Sequence, residues 1–158
     1  MSPALAGDPA AGGAAEAAEA PGGPAPEALF YDGGCGLCHR AVRFALRADR
    51  DGSCFRFAPL GGRTFRAAVP ESERDRLPDS LVLKTRAGAL LTRSAAVLHM
   101  LDRLGGAFRV PAALGRLVPR PLADALYDLV ARVRFRFFAR PPDWCPVVPA
   151  RLRSRFDP

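Results

Sequence analysis

The feature that most constrains this chain is a change of period around two cysteines. Leu29, Phe30 and Tyr31 run into Asp32-Gly33-Gly34, and Cys35 and Cys38 follow directly as a Cys-x-x-Cys pair. A short apolar run stopped by a Gly-Gly turn reads as a buried strand. Beyond the turn, Leu37, Ala41, Phe44 and Ala48 recur at helical spacing, with Arg40, Arg43, Arg47 and Arg50 on another face. The spacing predicts an amphipathic helix from about Cys35 to Arg50. Both cysteines therefore stand where a strand turns into a helix, one turn apart on the same side.

That position carries chemistry. Unpaired N–H groups and the positive end of a helix dipole favour a thiolate, and such contexts lower a cysteine pKa from about 8.5 to between about 3.5 and 7.5. The thiolate is the nucleophile of disulfide exchange, and Cys38 lies within reach to resolve a mixed disulfide formed at Cys35. Asp32 either accepts the proton of Cys38 or holds the Gly33-Gly34 turn through its N–H groups. His39 lies near Cys35 on the helix surface, where it either supports the thiolate or is simply solvated. Two other readings of the pair stay open. A zinc site needs more ligands than one Cys-x-x-Cys supplies, and Cys54, Cys145 and His99 are scattered. Cys35 to His39 also fits the c-type haem attachment pattern, with His99 or Met100 as distal ligand, but that chemistry needs export.

The rest of the chain bounds the domain. The first 27 of 158 residues hold 10 Ala, 5 Gly, 5 Pro and no base, so residues 1–27 read as a disordered leader and residues 28–158 as one domain. Without the leader the charge balance is 23 bases against 12 acids, a net +11, and every base but Lys84 is Arg. Such a surface favours acidic proteins, nucleic acid or anionic lipid. No nucleic-acid motif accompanies it, so nucleic acid is not an expected partner. No basic n-region with an apolar h-region and no long uncharged apolar window occurs, which predicts a cytoplasmic protein. In a reducing compartment, four cysteines point to redox or metal work more than to structural disulfides.

Cys54 to Ala58 read as a second strand, parallel to the first. Ser80 to Thr85 and Ala89 to Arg93 read as a hairpin, and Ser94 as the cap of a helix carrying Val97, Leu98, Leu101 and Leu104 and ended by Gly105-Gly106. A short helix from about Pro111 to Val118 and a long one from Pro121 to about Ala139 complete a helical extension. Strand, helix, strand, hairpin and helix in that order make an α/β domain with the elements of a thioredoxin core.

The run Leu29 to Cys38, joined to Phe55-Arg56-Phe57-Ala58-Pro59-Leu60, Asp79-Ser80-Leu81-Val82-Leu83, Tyr127-Asp128-Leu129 and Cys145-Pro146, resembles the DCC family of thiol-disulfide oxidoreductases, named for its D-x-x-C-x-x-C motif. The resemblance covers about Ala28 to Phe156. It implies a thioredoxin-like fold, with Cys35 and Cys38 as the redox pair and Asp32 as the accompanying acid, and it supplies no substrate. The dithiol chemistry itself points to disulfide-bearing proteins or small thiols as substrates and calls for no cofactor. Thioredoxin-like proteins carry a cis-Pro before the third strand, and the nearest candidate is Pro78. Cys145, between Trp144 and Pro146, is read as structural or as an accessory redox thiol, and Cys54 as a small buried hydrophobe. The Arg40 to Arg50 stripe reads as a solvated face or a dock for an acidic partner. On the last helix Leu122, Leu126, Leu129, Val130, Val133 and Phe137 share one stripe. It is expected to be covered by the core and the tail carrying Arg151, Arg153 and Arg155, or alternatively by anionic lipid. The rival to catalysis is an Arg-rich binding module whose Cys pair holds a metal or is structural.

Overall fold

The computed structural model describes residues 25–78, 80–137 and 150–158. The predicted leader, apart from its last residues, and the segment containing Cys145 lie outside the described residues. Glu27, counted with the leader on composition, is the first residue of β1 (Glu27–Tyr31).

Strand β1 pairs in parallel with β2 (Phe55–Pro59) and antiparallel with β3 (Val82–Lys84), which continues into β4 (Leu90–Thr92). The sheet order is β2-β1-β3-β4. Period-two alternation sends neighbouring residues to opposite faces. On one face Leu29 lies between its register partners Phe57 and Leu83, packed under α1 (Gly36–Ala48) and α4 (Arg93–Leu104) through Val42, Ala45, Ala96 and Met100. On the other, Phe30 lies between Ala58 and Val82, covered by Val69 and by Phe65 of α2 (Arg63–Ala68), whose ring meets Phe30 edge-on at 5.1 Å. A single turn, α3 (Glu71–Arg74), follows. The three layers make the fold thioredoxin-like, as expected.

Several local expectations change. The face of α1 turned to the sheet is Cys38, Val42 and Ala45, one position on from the Leu37, Ala41, Phe44 stripe, which lines a groove shared with α4 and α6. Ser94 does not cap α4. Thr92 is the N-cap residue, and the Ser94 hydroxyl bonds instead to the Asp124 carboxylate. Arg93, at the start of α4, has φ +52°, a conformation that costs a non-glycine residue on the order of 1 kcal/mol. Gly105 ends the helix as predicted, at φ +70°, where only a residue without Cβ is at ease.

A 3-10 turn (Gly106–Phe108) leads into α5 (Arg109–Leu117), and α6 (Arg120–Phe137) follows. Gly115 lets α5 lie tight against α4, since a Cβ there would stand 2.3 Å from Leu98 Cδ2.

The tail does not cover α6. After a 3-10 segment (Ala150–Arg155) it lies along β2, where Phe156 bridges to Phe57 and stacks on its ring at 5.4 Å. The Asp157 N–H donates to Phe57 O at 2.8 Å. Arg155 donates to the Asp49 carboxylate, to Asp49 O and to Phe55 O, and Asp49 in turn accepts from the N–H groups of Cys54 and Phe55. This buried pair ties the C-terminus to the far end of α1 and blunts the β2 edge.

Candidate functional site

Strand β1 delivers Asp32 to the end of the sheet. Its Oδ1 accepts the Gly34 N–H at 2.8 Å and its carbonyl accepts the Cys35 N–H at 3.2 Å, so the Gly33-Gly34 turn is held from both ends. Cys35 is the N-cap residue of α1, with extended φ −102° and ψ 114°. Its sulfur takes the place of the usual Ser or Asp oxygen and accepts the Cys38 N–H at 3.4 Å. The Cys35 sulfur thus lies against the backbone of Cys38, one turn on. Cys35 is 1% exposed and Cys38 4%. Both side chains are shut away from water, and the Cys38 N–H at the terminus of α1 points at the Cys35 sulfur.

His39 is not a solvated histidine. It is buried, and its Nε2 lies 2.8 Å from Gly33 O. A carbonyl only accepts, so Nε2 carries the hydrogen and donates to the turn. The ring also meets Tyr31 edge-on at 5.9 Å. Its role is to fix the loop ahead of the cysteines.

Cys38 also lines a groove of about 560 Å³ between α1, α4 and α6, walled by Leu37, Phe44, Leu81, Leu101 and Leu126. Leu81, just before β3, lines the same groove as Cys38, and its N–H donates to the Tyr127 hydroxyl at 3.2 Å. Tyr127 stands out in sequence only as part of the Tyr127-Asp128-Leu129 run, and the groove not at all, because the contact of Tyr127 with Leu81 arises from α6 docking 46 residues further along.

The other candidates fall elsewhere. No cis peptide bond occurs among the described residues, so Leu77–Pro78 is trans, in a turn where the Ser80 N–H donates to Pro78 O at 2.8 Å. His99 bonds to Glu27 Oε2 at 2.8 Å, at the opposite end of β1 from Cys35, and Met100 is buried in the core. No group of three or more His, Cys, Asp or Glu that could hold a metal occurs among the described residues. Cys54 is half-buried just ahead of β2 rather than within it, with Sγ 3.5 Å from Arg103 O. Burial and then the Asp49 carboxylate push its thiol above the usual value. Cys145 lies outside the described residues.

Comparison with known proteins fits this geometry. The model of the DCC1-like thiol-disulfide oxidoreductase family matches residues 29–140, which takes in the turn, both cysteines, the sheet from Leu29 onward and all of α6. The chain belongs to that family. Its function is accordingly of the redox class. The chain is also 31% identical, over 132 residues, to the uncharacterized protein YuxK of Bacillus subtilis (strain 168), covering 82% of this chain and 93% of that protein. No solved structure matches significantly.

Proposed function

We propose that this member of the family is a dithiol–disulfide oxidoreductase in which Cys35 attacks and Cys38 resolves. The observation that supports the reading most is the Cys35 sulfur at the N-cap of α1, accepting the Cys38 N–H. The Cys35 thiolate attacks one sulfur of a substrate disulfide, forming a mixed disulfide and releasing the first substrate thiolate. Cys38 then gives up its proton and attacks Cys35 Sγ, which closes the Cys35–Cys38 disulfide and releases the second thiolate. Two electrons pass to the substrate, and the reverse sequence oxidises a dithiol. Asp32 and His39 act as positioning residues, holding the turn that presents Cys35.

The test is equilibration of the Cys54→Ser protein in glutathione buffers of graded potential, followed by peptide mapping. A reversible Cys35–Cys38 disulfide formed with loss of two hydrogens is the expected result. Failure of that pair to form, or stoichiometric zinc retained by the reduced protein and lost on Cys35→Ser, would overturn the reading.

A further inference from the structure

The two helices of the extension are docked the wrong way round for core elements. On α6 the residues Leu122, Leu126, Leu129, Val130 and Val133 fall within an arc of roughly 100° at about 100° per residue. This stripe is expected from sequence to be covered by the core and the tail or by anionic lipid, and Leu122 is 62% exposed and Leu129 54%. What holds α6 to the domain is its polar side. Asp124 accepts from the N–H and hydroxyl of Ser94, Asp128 pairs with Arg93 at 3.3 Å, and the Tyr127 hydroxyl accepts the Leu81 N–H. These three residues lie on the opposite side of the helix, roughly 170° from the stripe by the same spacing. Helix α5 repeats the arrangement: its buried contact is Ala112, with Gly115 against Leu98, while Val110, Leu114 and Leu117 point outward, Leu117 at 79% exposure.

The charges complete the pattern. Asp124 and Asp128 are the acids of α5 and α6, and both are spent on these inward contacts. Arg109, Arg116, Arg120 and Arg132 are exposed on the same helices, with Arg116 bridged to Asp102 of α4 at 3.1 Å. Exposed Leu and Val flanked by Arg, with no acid turned outward among these residues, is the pattern of an interfacial amphipathic surface. No helix among the described residues is long and apolar enough to cross a membrane. We propose that α5 and α6 form a peripheral docking surface for an anionic lipid bilayer. Leu and Val enter the acyl boundary and Arg meets the lipid phosphates. Leu126 and Val130 belong both to this surface and to the groove lined by Cys38, so docking brings that groove to the interface.

The surface is tested apart from the thiol chemistry by co-sedimentation of the full chain with phosphatidylglycerol–phosphatidylcholine vesicles and with pure phosphatidylcholine vesicles. The expected result is binding to the anionic vesicles at least about tenfold tighter than to neutral ones, weakened by salt and unchanged by Cys35→Ser. Leu122→Asp with Leu129→Asp, and separately Arg109→Glu with Arg132→Glu, each weaken it by about tenfold or more while leaving disulfide exchange in solution unchanged. Equal affinity for both vesicle types, no binding to either, or a concentration-dependent dimer dissolved by the Leu122→Asp, Leu129→Asp variant in place of vesicle binding would overturn it.

Discussion

Cys35 and Cys54 flank the same pair of parallel strands, one just beyond the C-terminal end of β1 and the other just before β2, yet the groups around the two sulfurs differ. Cys35 sits at a helix N-terminus and accepts an N–H from Cys38. Cys54 faces the carboxylate of Asp49 beyond the other end of that helix, and its thiol is pushed up by burial and by that charge. Residue type is the same in both places, so in the proposed mechanism it is the helix end that separates the attacking sulfur from the one beside a carboxylate.

The comparison can be broken most sharply by exchanging which cysteine is lost. Cys35→Ser should lower the rate of disulfide exchange at least about a thousandfold, the scale of losing a nucleophile, while Cys54→Ser stays within about twofold in the same assay. Asp49 comes next, because it both opposes the Cys54 thiolate and meets Arg155 in a buried pair. Asp49→Ala leaves Arg155 without its partner and should cost about 3 kcal/mol in urea unfolding. It should also bring the Cys54 pKa down, and a Cys54 pKa that does not move would remove the carboxylate from the account.

Smaller effects probe the turn. Asp32→Ala removes the acceptor of the Gly34 N–H and should cost about 1 kcal/mol and slow exchange about tenfold. Asp32→Asn keeps an acceptor oxygen in place and should restore most of the rate with an unchanged pH profile. A rate that stays low with Asn would make the carboxylate a proton acceptor instead. The smallest effect is in the pH dependence of Cys54. Its folded thiol keeps its proton above the ordinary 9.0, so alkylation of Cys54 should begin at higher pH in the folded protein than in urea. The associated stability is fully present below that ordinary value and is lost as pH rises through the folded pKa.

Much of the site was readable from residues 29–39, because strand, turn, cap and cysteines are adjacent in sequence and the chemistry follows from local geometry. Periodicity also placed the helices. What it could not give is orientation. The Leu122 to Val133 stripe says which residues share a side of α6, but only Asp124, Tyr127 and Asp128, reaching Ser94, Leu81 and Arg93, turn that side outward. On α1, likewise, the spacing groups Leu37, Ala41 and Phe44 without saying what they face; Val42 and Ala45 meet the sheet and that stripe lines the groove. Helices α2 and α3 are too short for a period to show. The Arg155 to Asp49 pair spans 106 residues, and nothing local announces it.

The central claim is that Cys35 attacks and Cys38 resolves. It is tested most directly by incubating Cys38→Ser and Cys35→Ser separately with a disulfide-bonded protein and locating the adducts by mass spectrometry. Cys38→Ser should accumulate a mixed disulfide at Cys35, and Cys35→Ser should accumulate none. Equal trapping by both variants, trapping by neither, or an adduct at Cys54 would contradict the account.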